Sequence, residues 1–397
     1  MQSVRTGTKN TIGAADTKEV QRLRRAIRAS LRAQGFRVAK DSVSFRQRKD
    51  KRSICKRNEH AVTKRVGLAA SALSRLENRL LSYIASGREV VPALIRPKLV
   101  QVSPNTELSQ LFRYACLHWS IPVSEGYGRR LRFLVFDESN GKLMGLFALG
   151  DPVYAIRDRD LWIGWEANAE ARRLYHVMDA YVLGAVQPYS RLLAGKLAAL
   201  AITTNEVREA FAVRYGNRRA LISGKKRQPH LALITTTSAL GRSSIYNRVK
   251  YRERLALESV GFTNGWGEFH FSNGVYEDLS AFACKYCEPT AKKGVWGVGF
   301  RDRRELVRKA LSKLGFSQEM LNHGIKRELF VAPLAINARS FLRGQVRTPR
   351  YFNLSFDKAA LFWRERWLLP RAERDLSYRD FDREQWRLWK EASNARR

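Results

Sequence analysis

The stretch "ALITTTSALGRSSIYNRVKY", residues 232–251, decides how the middle of the chain is read. Leu233 and Ile234, followed by Thr235, Thr236 and Thr237, suit a strand, because β-branched and apolar side chains fit a pleated surface. Ser238, Gly241, Arg242, Ser243 and Ser244 make a turn, and the pattern after it predicts a helix over 243–260. A core strand does not need so many hydroxyls, and a disordered linker would not carry Leu233, Ile234 and Ile245. One reading is structural: the threonines simply fit the strand, and Ser243 or Ser244 caps the helix. Capping accounts for only one or two hydroxyls. The other reading is a ligand-reading turn at the carboxyl end of a strand, where open α/β sheets bind ligands. Arg242 then meets a phosphate, Asn247 a base edge, and Tyr246 stacks or passes a proton, with Thr236, Thr237, Ser238, Gly241, Ser243, Ser244 and Arg248 around them.

Upstream, "DAYVLGAV" at 179–186 predicts a second central strand, apolar on both faces. It runs into "QPYSRLLAGKLAA", where one helix is expected over 192–215. Tyr189, Ser190, Arg191, Gly195 and Lys196 fall at the start of that helix. Free N–H groups, small residues and cations there are the means by which a strand–turn–helix holds a pyrophosphate. A helix start with a helix-packing glycine is the structural alternative.

Around this pair, 132–137 and 143–149 predict a hairpin closed by Asn140-Gly141. "LWIGW" at 161–165 reads as a short buried piece and 168–177 as a helix. Residues 261–272, "GFTNGWGEFHFS", read as a glycine-rich strand with a partner at 275–283. His270 and Trp266 on it are candidates for the opposite wall of the site, His270 as a catalyst or as a satisfied structural histidine. The fold class expected is α/β (α+β), a mixed sheet with helices on both faces.

Helical patterns flank this centre: 18–34, with Val20, Leu23, Ile27 and Leu31 on one face and Gly35 ending it, then 61–86, then 302–345 with a break at Gly315. Three regions are expected: a basic helical one at 1–100, the α/β core at 101–300, and a basic helical one at 301–397 rich in Trp and Arg. The tail interleaves Trp363, Trp367, Trp386 and Trp389 with arginines, either to stack on bases or to dock on protein.

The net charge of +36 on 397 residues favours a polyanionic partner, most simply DNA or RNA. The three regions carry +17, +8 and +11, so the ends are the more basic. Four cysteines fit a reducing compartment, and the lone Cys284-Lys-Tyr-Cys287 has only Cys55 and His60 as a weak second pair, so no metal site is expected. No run of 18 apolar residues exists, and a soluble, cytoplasmic protein without membrane contact is expected.

Two resemblances add to this. The strand order, the splayed central pair and the basic turn resemble the GCN5-related N-acetyltransferase fold. There, a turn of the pattern Gln/Arg-x-x-Gly-x-Gly/Ala cradles the pyrophosphate of coenzyme A. Arg191 matches its first position, Ala194 and Lys196 stand at the later ones, and Leu257 stands where that family often carries a tyrosine acid. The resemblance implies an acyl-coenzyme A or another pyrophosphate-bearing ligand. Second, "WSIPVSEGYGRRLRFLVFD", "MDAYVLGAVQPYSRLLAGKLAAL", "TTTSALGRSSIYNR" and "GFTNGWGEFHF" together resemble the DruA family of the Druantia anti-phage systems. That implies antiviral defence beside other system proteins, a helicase-like partner among them. Two functions stay open: an enzyme that modifies a nucleotide or base by acyl-type transfer, and a non-catalytic nucleic-acid-binding subunit that recruits the helicase.

Overall fold

The structure is a computed structural model. It describes residues 14–39, 42–45, 51–121, 123, 128–165, 173–217, 224, 228–239, 243, 245–271, 275–290, 296 and 300–389. The chain forms two compact units that interleave in sequence: Met1–His60 with Thr263–Lys326, and Ala61–Phe262 with Arg327–Arg397.

The larger unit is built on a seven-stranded sheet. Its strands are β1 (Pro97–Gln101), β2 (Arg130–Asp137), β3 (Lys142–Gly150), β4 (Val177–Ala185), β5 (Leu233–Thr237), β6 (Glu258–Phe262) and β7 (Glu328–Pro333). The spatial order is β1-β2-β3-β4-β5-β7-β6, and every pairing is antiparallel except β4 with β5. The hairpin expected between β2 and β3 is present. Gly141 takes a φ of +70° in its turn, and the buried Asp137 accepts from the Ser139 N–H at 3.0 Å.

Strand side chains alternate between faces. Leu131, Phe133, Met178, Ala180, Ile234 and Phe330 enter the core beneath helices Ala194–Ala201, Asn205–Tyr215 and Phe356–Trp363. Leu134, Leu146, Ala148 and Val182 face helix Glu107–Leu117, while Val177, Leu233 and Val331 face helix Arg157–Ile163. The expected mixed sheet with helices on both faces is therefore found. The tail packs on this unit: Trp363 is fully buried, and Trp386 stacks on His118 with ring centroids 4.0 Å apart.

Several expected elements differ. The single helix over 192–215 is two, because Thr203 and Thr204 turn their hydroxyls back to the Leu200 and Ala201 carbonyls and the Asn205 N–H goes to the Leu354 carbonyl. The helix over 243–260 is instead a 3-10 turn (Tyr246–Arg248), a short hairpin and β6. Residues 275–283 lie in helix Tyr276–Tyr286 and not in a strand; the partner of β6 is β7, whose apolar run had read as part of a helical region. "LWIGW" belongs largely to helix Arg157–Ile163, with Leu161 exposed. Of the helix expected at 168–177, residues 168–172 lie outside the described residues, Leu174–His176 is a 3-10 turn and Val177 begins β4.

The smaller unit holds helix Ala14–Ala33, a hairpin of Phe36–Val38 with Val43–Phe45, and helices Tyr276–Tyr286 and Phe300–Lys313. The apolar face foreseen on its first helix is its core contact: Leu23, Ile27 and Leu31 are buried with Leu279, Phe282 and Leu311. Gly35, at φ +84°, ends that helix. Among the described residues, no helix is long and apolar enough to cross a membrane.

Candidate functional site

β4 and β5 pair only at Val177↔Leu233, Met178↔Ile234 and Asp179↔Thr235. Beyond that rung β4 continues to Ala185 without a β5 partner, so the two strands part at their carboxyl ends. The threonines span the point of parting. Thr235 Oγ1 donates to Asp179 Oδ1 at 2.7 Å, and Thr236 Oγ1 to the Ala180 carbonyl at 2.8 Å. Thr237 pairs with Leu329, and the Ser238 N–H reaches the Glu328 carbonyl at 2.8 Å.

Tyr246 serves the parted edge. Its hydroxyl donates to the Leu183 carbonyl at 3.2 Å, and its ring stands edge-on to Phe330 of β7 at 5.4 Å. Burial raises its hydroxyl above the ordinary range, which keeps the proton on it. Ser243 caps this turn, accepting from the Tyr246 N–H at 3.2 Å. The neighbouring Asn247 is different: its Oδ1 is buried and has no hydrogen-bond partner among the described residues. Arg248 is exposed. Gly241, Arg242 and Ser244 lie outside the described residues.

The turn after β4 is closed on itself. The N–H groups of Ser190, Arg191, Leu192, Leu193, Ala194 and Lys196 all bond to carbonyls between Val186 and Leu193. Tyr189 is buried, donating to Asp137 Oδ2 at 3.0 Å. A Cβ on Gly195 would stand 3.2 Å from Ile245, so the loop after β5 packs directly on this helix start. The C-terminal segment covers the turn. Arg191 Nη1 donates to the Ser377 carbonyl at 2.5 Å, Trp363 Nε1 to the Leu193 carbonyl at 3.0 Å, and Arg371 Nε to the Arg191 carbonyl at 3.2 Å. Lys196 Nζ lies 4.8 Å from the centre of the Trp367 ring. Burial, then the nearby charges of Arg248 and Arg366, hold the Lys196 ammonium below its usual range.

His270 and Trp266 belong to the smaller unit. His270 is fully buried, its Nε2 2.7 Å from the Met320 carbonyl, and burial pushes it down to about 4. Trp266 is exposed and bridges to Asn322. The two parallel strands thus bring together the Tyr189–Lys196 and Thr235–Arg248 candidates, while His270 and Trp266 sit in a separate unit.

Two side chains here, Asp179 and Arg366, escaped the sequence reading, and the place of Trp367, read there as a stacking or docking ring, was not foreseen. Asp179 lies at the rung where β4 and β5 part, and burial, outweighing the Thr235 hydroxyl and the Arg159 charge, pushes its carboxyl up to about 6. An acidic residue at the head of an apolar strand was the available signal. Arg366 and Trp367 come from a segment about 170 residues after Lys196, and no local pattern ties them to it. Among the described residues, no group of three or more His, Cys, Asp or Glu is placed to hold a metal ion.

The profile of the family described as DruA, Druantia protein DruA, matches residues 48–344. A curated protein named Druantia protein DruA, from Escherichia coli (strain UMEA 4076-1), is 44% identical over 313 residues, which cover 79% of this chain and 76% of that protein. No solved structure matches.

Proposed function

This chain belongs to the DruA family, and from that premise we propose that it is an anti-phage defence protein of a Druantia system that binds nucleic acid or a nucleotide at the parted ends of β4 and β5. The observation that carries the reading is Lys196 Nζ set 4.8 Å from the centre of the Trp367 ring, where burial first and then the charges of Arg248 and Arg366 lower the ammonium. Like charges gathered on one surface are relieved when a polyanion binds and releases its counterions. The Trp367 ring beside Lys196 adds a face on which a base can stack. The protein works beside other proteins of the system, a helicase-like partner among them.

Acyl-type transfer is the second reading. The strand order and the single parallel, parting pair support a core like that of the GCN5-related N-acetyltransferases. The turn itself does not fit a pyrophosphate as it stands. The N–H groups of residues 190–194 and of Lys196 are already bonded, and Arg191 is committed to the Ser377 carbonyl. Binding without acyl transfer is therefore the reading we favour.

The test is the triple variant Lys196→Gln, Arg248→Gln, Arg366→Gln. The slope of log affinity for DNA or RNA against log salt should become shallower by about 2–3, since each phosphate contact contributes roughly 0.7–0.9. An unchanged slope overturns the placement. Mass spectrometry of nucleosides from DNA and RNA incubated with the protein, with and without acyl-coenzyme A, should show no added mass; an added acyl group would restore the second reading.

A further inference from the structure

The opposite face of the sheet carries a cavity of about 320 Å³ within the larger unit. Leu131 and Phe133 of β2 point towards helix Ala194–Ala201, so the alternating Arg130 and Arg132 point away from it, into this cavity. Ala148 and Gly150 of β3 pair with Arg132 and Arg130, and the Tyr181 ring lies over Gly150, 3.2 Å from where a Cβ would stand. Helix Glu107–Leu117 contributes Phe112 and the exposed Arg113, and helix Lys51–Leu73 contributes Arg65. Tyr181 of β4 completes the wall.

Among the described residues the lining has four arginines and no carboxylate. Arg65 spends one N–H on the Val123 carbonyl, and Arg132 lies over the Phe112 ring at 5.5 Å. The Arg132 guanidinium stands near the Tyr181 hydroxyl and offsets part of the rise that burial imposes on it, yet by hydrogen-bond geometry Arg132 Nε and that hydroxyl are both buried with no partner among the described residues. Burying a guanidinium N–H and a phenol without acceptors is costly, so the pair calls for an acceptor from outside the chain. The ligand must be anionic to meet four guanidiniums, rich in acceptor oxygens, and partly apolar to lie against Phe112 and its leucine neighbours. A phosphate joined to a flat ring meets all three demands, and a single nucleotide has the matching size. We propose that this cavity binds one nucleotide through its phosphate, with Arg132 and Tyr181 as the phosphate donors and Phe112 beside the base. The nucleotide is either free or the 5′ end of a strand. The site is separate from the Lys196 surface and does not depend on it.

The test uses the full chain and two variants. Arg132→Met keeps the aliphatic stem but removes the donors; Arg113→Glu reverses an exposed rim charge that the fold does not need. Binding is measured by calorimetry with deoxyguanosine 5′-monophosphate, deoxyguanosine and inorganic phosphate, and with a short single strand bearing or lacking a 5′-phosphate. The monophosphate should bind at least about tenfold more tightly than the nucleoside, and each variant should lose about tenfold or more. A gain from 5′-phosphorylation of the strand beyond that of the free nucleotide assigns the strand end; equal affinity assigns the free nucleotide. Both variants should keep the salt-dependent binding of long nucleic acid, which separates this site from the Lys196 surface. Equal affinity for nucleoside and monophosphate, inorganic phosphate binding as tightly as the nucleotide, or unchanged binding in Arg113→Glu together with a folded Arg132→Met would each overturn the proposal.

Discussion

The turns that follow the two parallel strands stand side by side and are made of similar residues, yet they are in opposite states. After β4, the N–H groups of residues 190–194 and of Lys196 are bonded within the turn, and the C-terminal segment takes up the Leu193 carbonyl, the Arg191 carbonyl and the Arg191 guanidinium. After β5, Ser243 and Tyr246 are matched, but among the described residues the buried Asn247 carboxamide oxygen has no partner, and Arg248 is exposed. Hydroxyls, amides and arginines therefore identify a ligand site only after their internal partners have been subtracted. By that measure the backbone of the first turn is largely spoken for, while in the described part of the second turn the Asn247 oxygen is left unmatched.

The strongest way to break this contrast is to unpin the closed turn. Trp363 is fully buried, and its indole N–H holds the Leu193 carbonyl. Trp363→Ala should cost about 3–5 kcal/mol in chemical denaturation, the range for truncating a large buried aromatic. Faster amide exchange should appear at residues 190–196. If the variant were as stable as wild type, the C-terminal segment would not be what closes the turn.

Asp179 lies at the root of both turns. Its carboxyl is held at about 6 in the folded chain against an ordinary 3.8. The folded state thus keeps its proton more tightly than the unfolded state. The stability this brings is fully present below about pH 3.8 and is lost as pH rises through 6. Asp179→Asn removes the charge and preserves an acceptor for Thr235. It should stabilise the protein at pH 7.5 by on the order of 2–3 kcal/mol relative to wild type, with little difference near pH 4. His118 and His270, both pushed down to about 4 by burial, act in the opposite sense, losing stability as pH falls from about 6.5 towards 4. They are common to wild type and variant and cancel in the difference.

The sheet was legible where its signals were local. Asn140-Gly141 fixed the hairpin, and the threonine-rich run marked β5. It was illegible where long-range packing decided. β7 sits between β5 and β6 although it lies about ninety residues after β5, and "ELFVAP" is an apolar run too short to separate strand from buried helix by periodicity. The break at Thr203 and Thr204 interrupts an apolar rhythm that continues on both sides, so only the side-chain bonds to the Leu200 and Ala201 carbonyls reveal it. For the site, the residue types around Tyr246 were readable and their partners were not. Arg366 and Trp367, which bear on Lys196, come from another part of the chain.

The finest test sets two adjacent residues of the open turn against each other. Tyr246→Phe keeps the ring against Phe330 but strips the donor from the Leu183 carbonyl, and should cost about 1–2 kcal/mol of stability. Asn247→Ala removes an oxygen that no described residue bonds. A buried acceptor without a donor is a burden on the folded state, so its loss should leave stability within about 0.5 kcal/mol of wild type or slightly improve it. Yet if that oxygen is the group a nucleotide or base edge completes, the same variant should bind nucleic acid more weakly by about tenfold and protect poorly against phage in cells that carry the complete system. A gain in stability joined to a loss of binding is the pattern of a group kept for a ligand, whereas a packing residue loses stability first. Wild-type binding and protection in Asn247→Ala, at equal protein levels, would mean that the second turn is as much scaffold as the first.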